Sequence, residues 1–231
     1  MHIKQFKEIT TLSQNKATDF YTPSGLHVFF SKPVEQDINV EKVISKVEET
    51  IPQHLRQEVE AIIVGELPEF KDMDFNAVYE GGTIYVTHLQ DDEDDMVDDI
   101  VHEFAHSVEE PHGFFIYGDS RVKDEFLNKR MNLHKILWAS GYKAPKSFFT
   151  NIDYDKELDE FLYKTVGYDK LARLLTGVFV STYAPTSLRE YFATGFTEFF
   201  LFPDRHEYLR KVSPELFKKI SQLYFEEDLD I

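Results

Sequence analysis

A run of apolar residues at helical spacing constrains this sequence most, because it carries the motif His102-Glu103-Phe104-Ala105-His106. The steps of three and four residues are those of an amphipathic helix, and the residues concerned are Met96, Val97, Ile100, Val101, Phe104, Ala105 and Val108. We predict that this helix follows the acidic run at 90–95 and ends at Pro111 and Gly113. One apolar face needs a second layer of structure to pack against, and the rest of the chain supplies it.

The segments before this helix have the composition and alternation of β-strands. We predict strands at 26–30, 61–64, 75–79 and 83–87, with Glu80-Gly81-Gly82 as a hairpin turn between the last two. Asn39 is expected to cap a helix that runs through Val47. After Ser120, helices are predicted at about 121–140, 154–165, 168–181, 187–201 and 213–225.

These elements predict a single α+β domain over residues 1–231. An N-terminal α/β lobe with a small twisted sheet covers residues 1–93. The helix with the histidine motif stands at the lobe junction, and a helical C-terminal lobe completes residues 94–231.

Composition and charge exclude several classes of function. A net charge of -17 repels phosphate backbones, so we expect no nucleic-acid partner. No apolar run approaches the ~20 residues of a membrane span, so we expect no membrane partner. There is no cysteine, which excludes disulfides and thiolate metal sites. The N-terminus lacks the apolar core of a signal peptide, so we expect a soluble, cytoplasmic protein, with non-classical export left open.

The two histidines of the motif have the spacing of a metal-binding pair. Four residues separate His102 from His106, which places both imidazoles on one face of a helix. Zinc binds neutral imidazole nitrogens, and three protein ligands leave its fourth position open. Glu103 projects beside that face, where it can carry the protons of a hydrolytic reaction. We therefore expect a catalytic Zn²⁺ site.

A third ligand is needed, and two residues downstream are candidates. Glu190 falls at the third position of a helix that Ser187 can cap, which also fits an ordinary capping box. His112 completes the spacing HExxHxxGxxH of the metzincins, but Glu109 stands where that pattern has its glycine. Asp98, Glu109 and Glu110 are candidates to accept the second N–H of a ligand histidine, or they belong to a solvated helix face.

The segment around Glu190 resembles the anthrax lethal factor-like zinc peptidases. The resemblance rests on the histidine motif, on Tyr183 seven residues before Glu190, and on the run Glu190-Tyr191-Phe192-Ala193. That family includes the Pro-Pro endopeptidases and belongs to the gluzincins. The resemblance implies a zincin-like fold, zinc ligands His102, His106 and Glu190, the catalytic base and acid Glu103, and an oxyanion-stabilising Tyr183.

These features predict a zinc-dependent endopeptidase that hydrolyses peptide bonds with a metal-activated water. A protein or peptide substrate is expected to bind as an extended strand along Thr83–Thr87, interpreted as an edge strand. The alternative is a catalytically silent zincin-fold protein for binding or assembly, which would not need Glu103. A peptidase with one dedicated protein substrate is a third possibility, favoured by the missing signal peptide.

Overall fold

The computed structural model describes residues 19–34, 38–66 and 76–226. Contacts group them into two compact units, the described residues up to Val108 and those from Glu109 onward. The first unit holds a five-stranded sheet, whereas the second is helical. The predicted α+β class is therefore confirmed. The division into lobes at residues 93 and 94 stays a prediction, as does the zincin-like detail of the fold.

The first unit is built on a mixed sheet with the strand order β1-β2-β3-β5-β4. The strands are β1 (Asp19–Tyr21), β2 (His27–Phe30), β3 (Ala61–Gly65), β4 (Ala77–Glu80) and β5 (Thr83–Thr87). Strands β2, β3 and β5 are parallel, while β1 and β4 pair antiparallel with their neighbours. Val28, Ile62 and Ile84, one from each parallel strand, are fully buried, as expected for a sheet centre.

Strands β4 and β5 form the predicted hairpin, although the predicted start of the first strand at Phe75 lies outside the described residues. Gly81 and Gly82 make the turn with φ of +53° and +82°, and a two-residue turn of type I′ needs positive φ at both positions. The prediction that Thr83–Thr87 is an edge strand is wrong, because β5 pairs with β3 on one side and β4 on the other. Ile84 and Val86 are fully buried, so this strand lies inside the sheet and β4 forms the edge.

The predicted helix after Asn39 is also confirmed. Helix α1 (Val40–Thr50) begins where the Asn39 side chain accepts a hydrogen bond of 3.0 Å from the Lys42 backbone N–H. Its apolar face buries Val43, Ile44 and Val47. A short 3₁₀ turn, Gln53–Leu55, follows before β3.

Helix α2 (Glu93–Tyr117) is longer than the sequence predicts, and its end at Pro111 and Gly113 is wrong. Proline cannot donate a hydrogen bond to the carbonyl four residues earlier, but here the helix continues through it. Two residues beyond it make tertiary contacts: Ile116 is fully buried, and the Lys219 ammonium donates to the Phe115 carbonyl at 2.7 Å. Tertiary contacts therefore outweigh the local signal of the proline.

The second unit contains the rest of α2 and six further α-helices among the described residues. They are α3 (Arg121–Ala139), α4 (Lys156–Glu160), α5 (Tyr168–Leu175), α6 (Leu188–Leu201), α7 (His206–Val212) and α8 (Pro214–Tyr224). A π-helical segment, Phe161–Val166, continues α4, and 3₁₀ turns lie at Lys146–Phe149 and Pro203–Arg205. The helix predicted at 168–181 ends at Leu175, and α7 was not predicted. No helix in the described part of the chain is both long and apolar enough to cross a membrane.

Candidate metal centre

Helix α2 presents the two histidines of the motif one turn apart. The ring centroids of His102 and His106 are 5.1 Å apart and the rings stand at 78°. Between them, Phe104 and Ala105 are fully buried and anchor the opposite face of the helix in the core. The local pattern of apolar and polar residues thus holds both imidazoles on one side of the helix.

Glu190 lies in the first turn of α6, where a cap holds the backbone. The Ser187 hydroxyl accepts a hydrogen bond of 3.1 Å from the Glu190 backbone N–H, and Ser187 itself is extended. This is the N-cap predicted from the sequence. It fixes the start of the helix and the direction in which the half-buried Glu190 side chain leaves it.

His102, His106 and Glu190 form a group that can hold a metal ion. Each offers one ligand atom, and these atoms all lie within 4.8 Å of one another. Zinc bonds of ~2.0–2.2 Å to nitrogen and oxygen place two ligand atoms of one ion about 3–4 Å apart, a separation that lies within this limit. Two imidazoles and one carboxylate are a donor set that suits zinc and leaves one position open.

His112 does not belong to this group among the described residues. It lies within α2, six residues after His106, because the helix continues past Pro111. Six residues rotate a helix by 600°, which leaves the two side chains about 120° apart around the axis. The bend that would bring His112 back toward the pair is absent from this helix.

Glu103 is buried next to the edge strand of the sheet. Its Oε2 atom accepts a hydrogen bond of 2.7 Å from the Tyr79 backbone N–H in β4. In this hairpin Glu80 and Val78 exchange hydrogen bonds with β5, so the main chain of Tyr79 and Ala77 is directed away from β5. The carboxylate between the two histidines therefore lies at the outer edge of β4.

Tyr183 lies in the loop before α6 and is held by hydrogen bonds of its main chain. Its carbonyl accepts from the Thr186 backbone N–H and hydroxyl, both at 2.9 Å, and its N–H donates to Ser181 Oγ at 3.2 Å. Burial raises the pKa of its phenol well above the ordinary value, and the charge of Glu190 raises it further. Tyr183 therefore keeps its proton at neutral pH and can act as a hydrogen-bond donor.

Glu109 connects α2 to the residue before Glu190 within the second unit. Its side chain is 8% exposed and accepts hydrogen bonds from the Tyr117 hydroxyl and, at 3.0 Å, from Arg189 Nε. Burial lowers the pKa of Arg189, but the charge and hydrogen bond of Glu109 outweigh it and raise that pKa. The sequence singled out Glu109, but Tyr117 and Arg189 carry no local signal for this role.

Two further carboxyl groups lie on α2 before the histidines. Burial raises the pKa of Asp98, and the charge of His102 partly offsets this effect. Burial also raises the pKa of Asp99 to about 6. A hydrogen bond of 3.0 Å from the Gln90 amide lowers this pKa but does not cancel the effect of burial. Asp98 lies one turn before His102 and remains a candidate to orient it, whereas Glu110 is exposed.

Comparisons of the chain with family models, with curated proteins and with solved structures found no match.

Proposed function

We propose that this protein is a zinc-dependent endopeptidase of the gluzincin type, similar to the lethal factor-like peptidases. The observation that carries the proposal is the group His102, His106 and Glu190, with ligand atoms within 4.8 Å of one another. A structural zinc site usually has four protein ligands, whereas three ligands beside a carboxylate are typical of a hydrolytic site. Glu103 supplies that carboxylate.

Zinc held at these residues would supply Lewis acidity and activate the attacking water. The role of Glu103 is proton transfer: its carboxylate takes the proton of the water and passes it to the leaving amine. Its hydrogen bond to the Tyr79 N–H holds the carboxylate beside β4 in the resting protein. General acid–base catalysis of this kind contributes about 10²–10⁴ in rate.

Tyr183 is proposed to stabilise the oxyanion that forms at the substrate carbonyl. The group must be a neutral phenol to donate a hydrogen bond, and its raised pKa keeps it protonated. The main-chain hydrogen bonds to Thr186 and Ser181 fix the loop that carries the phenol, which limits the reorganisation needed before the reaction.

The substrate is proposed to bind as an extended strand along β4 rather than along β5. Among the described residues β4 pairs only with β5, and Ala77 directs its main chain to the other side, where the Tyr79 N–H already donates to Glu103. An edge of this kind can hold a peptide through main-chain hydrogen bonds. Glu103 lies at the same edge, so a peptide paired there would pass the catalytic carboxylate.

The test compares wild type with Glu103→Gln on a peptide library. Zinc content is measured by elemental analysis of protein purified without added metal. We expect about one zinc per chain in both proteins, and a loss of turnover of about 10²–10⁴ in the variant. Glu49→Gln, which neutralises an exposed glutamate on α1, is the matched control and should leave turnover unchanged. Zinc binding without cleavage by wild type would favour the silent binding protein, and no zinc would refute the proposal.

A further inference from the structure

Three exposed tyrosines and one carboxylate form a group in the second unit, which we call the tyrosine–aspartate patch. It consists of Tyr154, Asp159, Tyr163 and Tyr168. The tyrosines are 47%, 51% and 41% exposed, which is unusual for three neighbouring aromatic side chains. Aromatic rings that remain at the surface in a group are candidates for binding another molecule.

The local fold holds the patch in place from below. The carboxylate of Asp155 caps α4 by accepting from the backbone N–H groups of Glu157 and Leu158, at 2.9 and 3.2 Å. Leu158, Leu162 and Val166 are buried on the inner side of α4 and of the π-helical segment. Side chains on the outer side of the same turns are therefore presented to solvent, and π-helical segments occur frequently at functional sites.

Two contacts define the geometry of the patch, one between Tyr154 and the carboxylate and one between the other two rings. The Tyr154 hydroxyl donates to Asp159 Oδ2 at 2.7 Å. Asp159 and Tyr163 are four residues apart, one turn along the helix. The rings of Tyr163 and Tyr168 are 5.1 Å apart at 42°, and Gly167, with φ of +82°, makes the turn that joins their helices.

The charge of Asp159 lacks a cationic partner within the described residues. Its Oδ1 atom is buried and has no hydrogen-bond donor, and no lysine or arginine pairs with it. Lys164 on the next turn pairs instead with Glu160, at 3.1 Å. The carboxylate accepts one hydrogen bond from a phenol and has no cationic partner among the residues that the structure describes, so its charge makes the nearby surface attractive to a cation.

The chain's own cations stack on other rings. Lys143 lies 3.8 Å from the centroid of Trp138, and Lys170 lies 5.4 Å from that of Tyr142. In the described part of the chain no lysine or arginine covers a ring of the tyrosine–aspartate patch. The exposed parts of these rings can therefore contact a cation from outside the protein.

The patch also lies close to the proposed catalytic tyrosine. Besides burial and Glu190, the groups that raise the pKa of the Tyr183 phenol are Asp159, Tyr154 and Tyr168. All of these residues belong to the second unit. A peptide whose carbonyl reaches Tyr183 would therefore place a neighbouring side chain within reach of the patch.

We propose that the tyrosine–aspartate patch is a subsite for a lysine or arginine side chain of the substrate. The inference rests on the proposed peptidase function for its biological meaning, but the patch itself is a cation site that binding measurements can test alone. The cation stacks on the faces of Tyr163 and Tyr168, and the charge of Asp159 adds to the attraction.

The binding test uses nuclear magnetic resonance of the full chain with ¹³C-labelled tyrosine rings, assigned through Tyr163→Phe and Tyr168→Phe. The probes are N-acetyl-arginine N-methylamide and its citrulline counterpart, which has nearly the same shape without the charge. We expect saturable shifts of the Tyr163 and Tyr168 rings with the arginine probe only. Equal shifts with citrulline, or no saturable shift, would overturn the proposal.

Two variants separate the carboxylate from the general charge of the protein. Asp159→Asn keeps an acceptor for the Tyr154 hydroxyl and should weaken arginine binding about fivefold or more, which corresponds to about 1 kcal/mol. Asp169→Asn removes the same charge from an exposed position beside Tyr168 and should leave binding unchanged. Unshifted resonances of the buried Tyr191 ring verify the fold, and equal weakening in the two variants would overturn the role of Asp159.

Cleavage profiling of a peptide library then links the patch to the reaction. We expect lysine and arginine to be enriched at one fixed position relative to the cleaved bond, and Asp159→Asn to raise KM for those peptides with kcat unchanged. Cleavage without this enrichment refutes the subsite while the peptidase stands. Arginine-specific shifts of the patch rings without any cleavage refute the peptidase while the cation site stands.

Discussion

Replacing Glu109 with alanine should destabilise the protein by about 2–3 kcal/mol. Glu109 is 8% exposed and accepts hydrogen bonds through both oxygens, from the Tyr117 hydroxyl and from Arg189 Nε at 3.0 Å. The substitution removes both bonds at once. The two donors differ in their access to water, so their losses differ in size.

Most of the stability lost in Glu109→Ala is expected to come from the unpaired Tyr117 hydroxyl. Burial and the charge of Glu109 raise the pKa of its phenol far above the ordinary value, so the hydroxyl is poorly solvated. Leaving a buried donor without an acceptor costs about 1–3 kcal/mol. Arg189 is 64% exposed, so water replaces its partner, and an exposed ion pair contributes at most about 1 kcal/mol.

Urea denaturation at pH 7, with EDTA to remove bound metal, measures the free energy of unfolding. We expect Arg189→Met to cost less than about 1 kcal/mol. Tyr117→Phe should recover part of the loss in Glu109→Ala, because it removes the unpaired hydroxyl, with a coupling of about 1 kcal/mol or more between the two positions. Additive single losses, or an Arg189→Met cost equal to that of Glu109→Ala, would refute this division of the energy.

The remaining predictions concern the ligand, the phenol and the seat of α6. Glu190→Gln should lose most of its zinc and His112→Ala should keep it, as measured by elemental analysis, and the reverse would favour a metzincin-like site. Tyr183→Phe should keep zinc but lower kcat by about 10²–10³, and loss of zinc would make the residue structural. Gly195→Ala should cost about 1–3 kcal/mol in urea denaturation, because its Cβ would lie 2.4 Å from Leu216 Cδ2. Gly195→Ala combined with Leu216→Ala should cost less than the sum of the two single losses, and additive losses or unchanged stability in Gly195→Ala would refute the contact.

Local signals in the sequence were sufficient for several elements. Asn39 caps α1 because its side chain reaches the N–H three residues ahead, and that contact needs no distant partner. Gly81 and Gly82 determine the hairpin for a similar reason, since few other residues adopt positive φ twice in succession. The alternation at 83–87 predicted a strand, but it carried no information on which strands would pair with it.

Non-local contacts explain why the predicted end of α2 and the predicted edge position of β5 are wrong. The end of α2 was predicted at Pro111 because a proline lacks the N–H that continues a helix. The helix continues to Tyr117, and the contacts that accompany this are the buried side chain of Ile116 and the bond from Lys219, more than 100 residues further along the chain. The position of β5 inside the sheet likewise depends on β3, which precedes it by about 20 residues. A sequence pattern does not identify such partners.

The proposed site combines both kinds of information. The spacing of His102 and His106 is local, so the sequence alone predicts this pair of candidate metal ligands. The position of Glu190 also depends on what supports α6: the Tyr191 hydroxyl, one residue on, donates to Glu125 at 2.7 Å. The same carboxylate accepts from the backbone N–H of Glu215, at 2.9 Å, at the start of α8.

Glu125 therefore joins three helices of the second unit, α3, α6 and α8, at one half-buried point. Helix α6 also packs against α8 at Gly195, where the missing side chain lets the Leu216 side chain approach the backbone of α6. These contacts lie on the side of α6 that holds it in the unit, and none of them involves the Glu190 side chain. Residues that take no part in the chemistry can thus provide the rigidity that a metal ligand requires. For this reason the motif identifies Glu190 as a candidate ligand, but it does not explain how Glu190 is held in position.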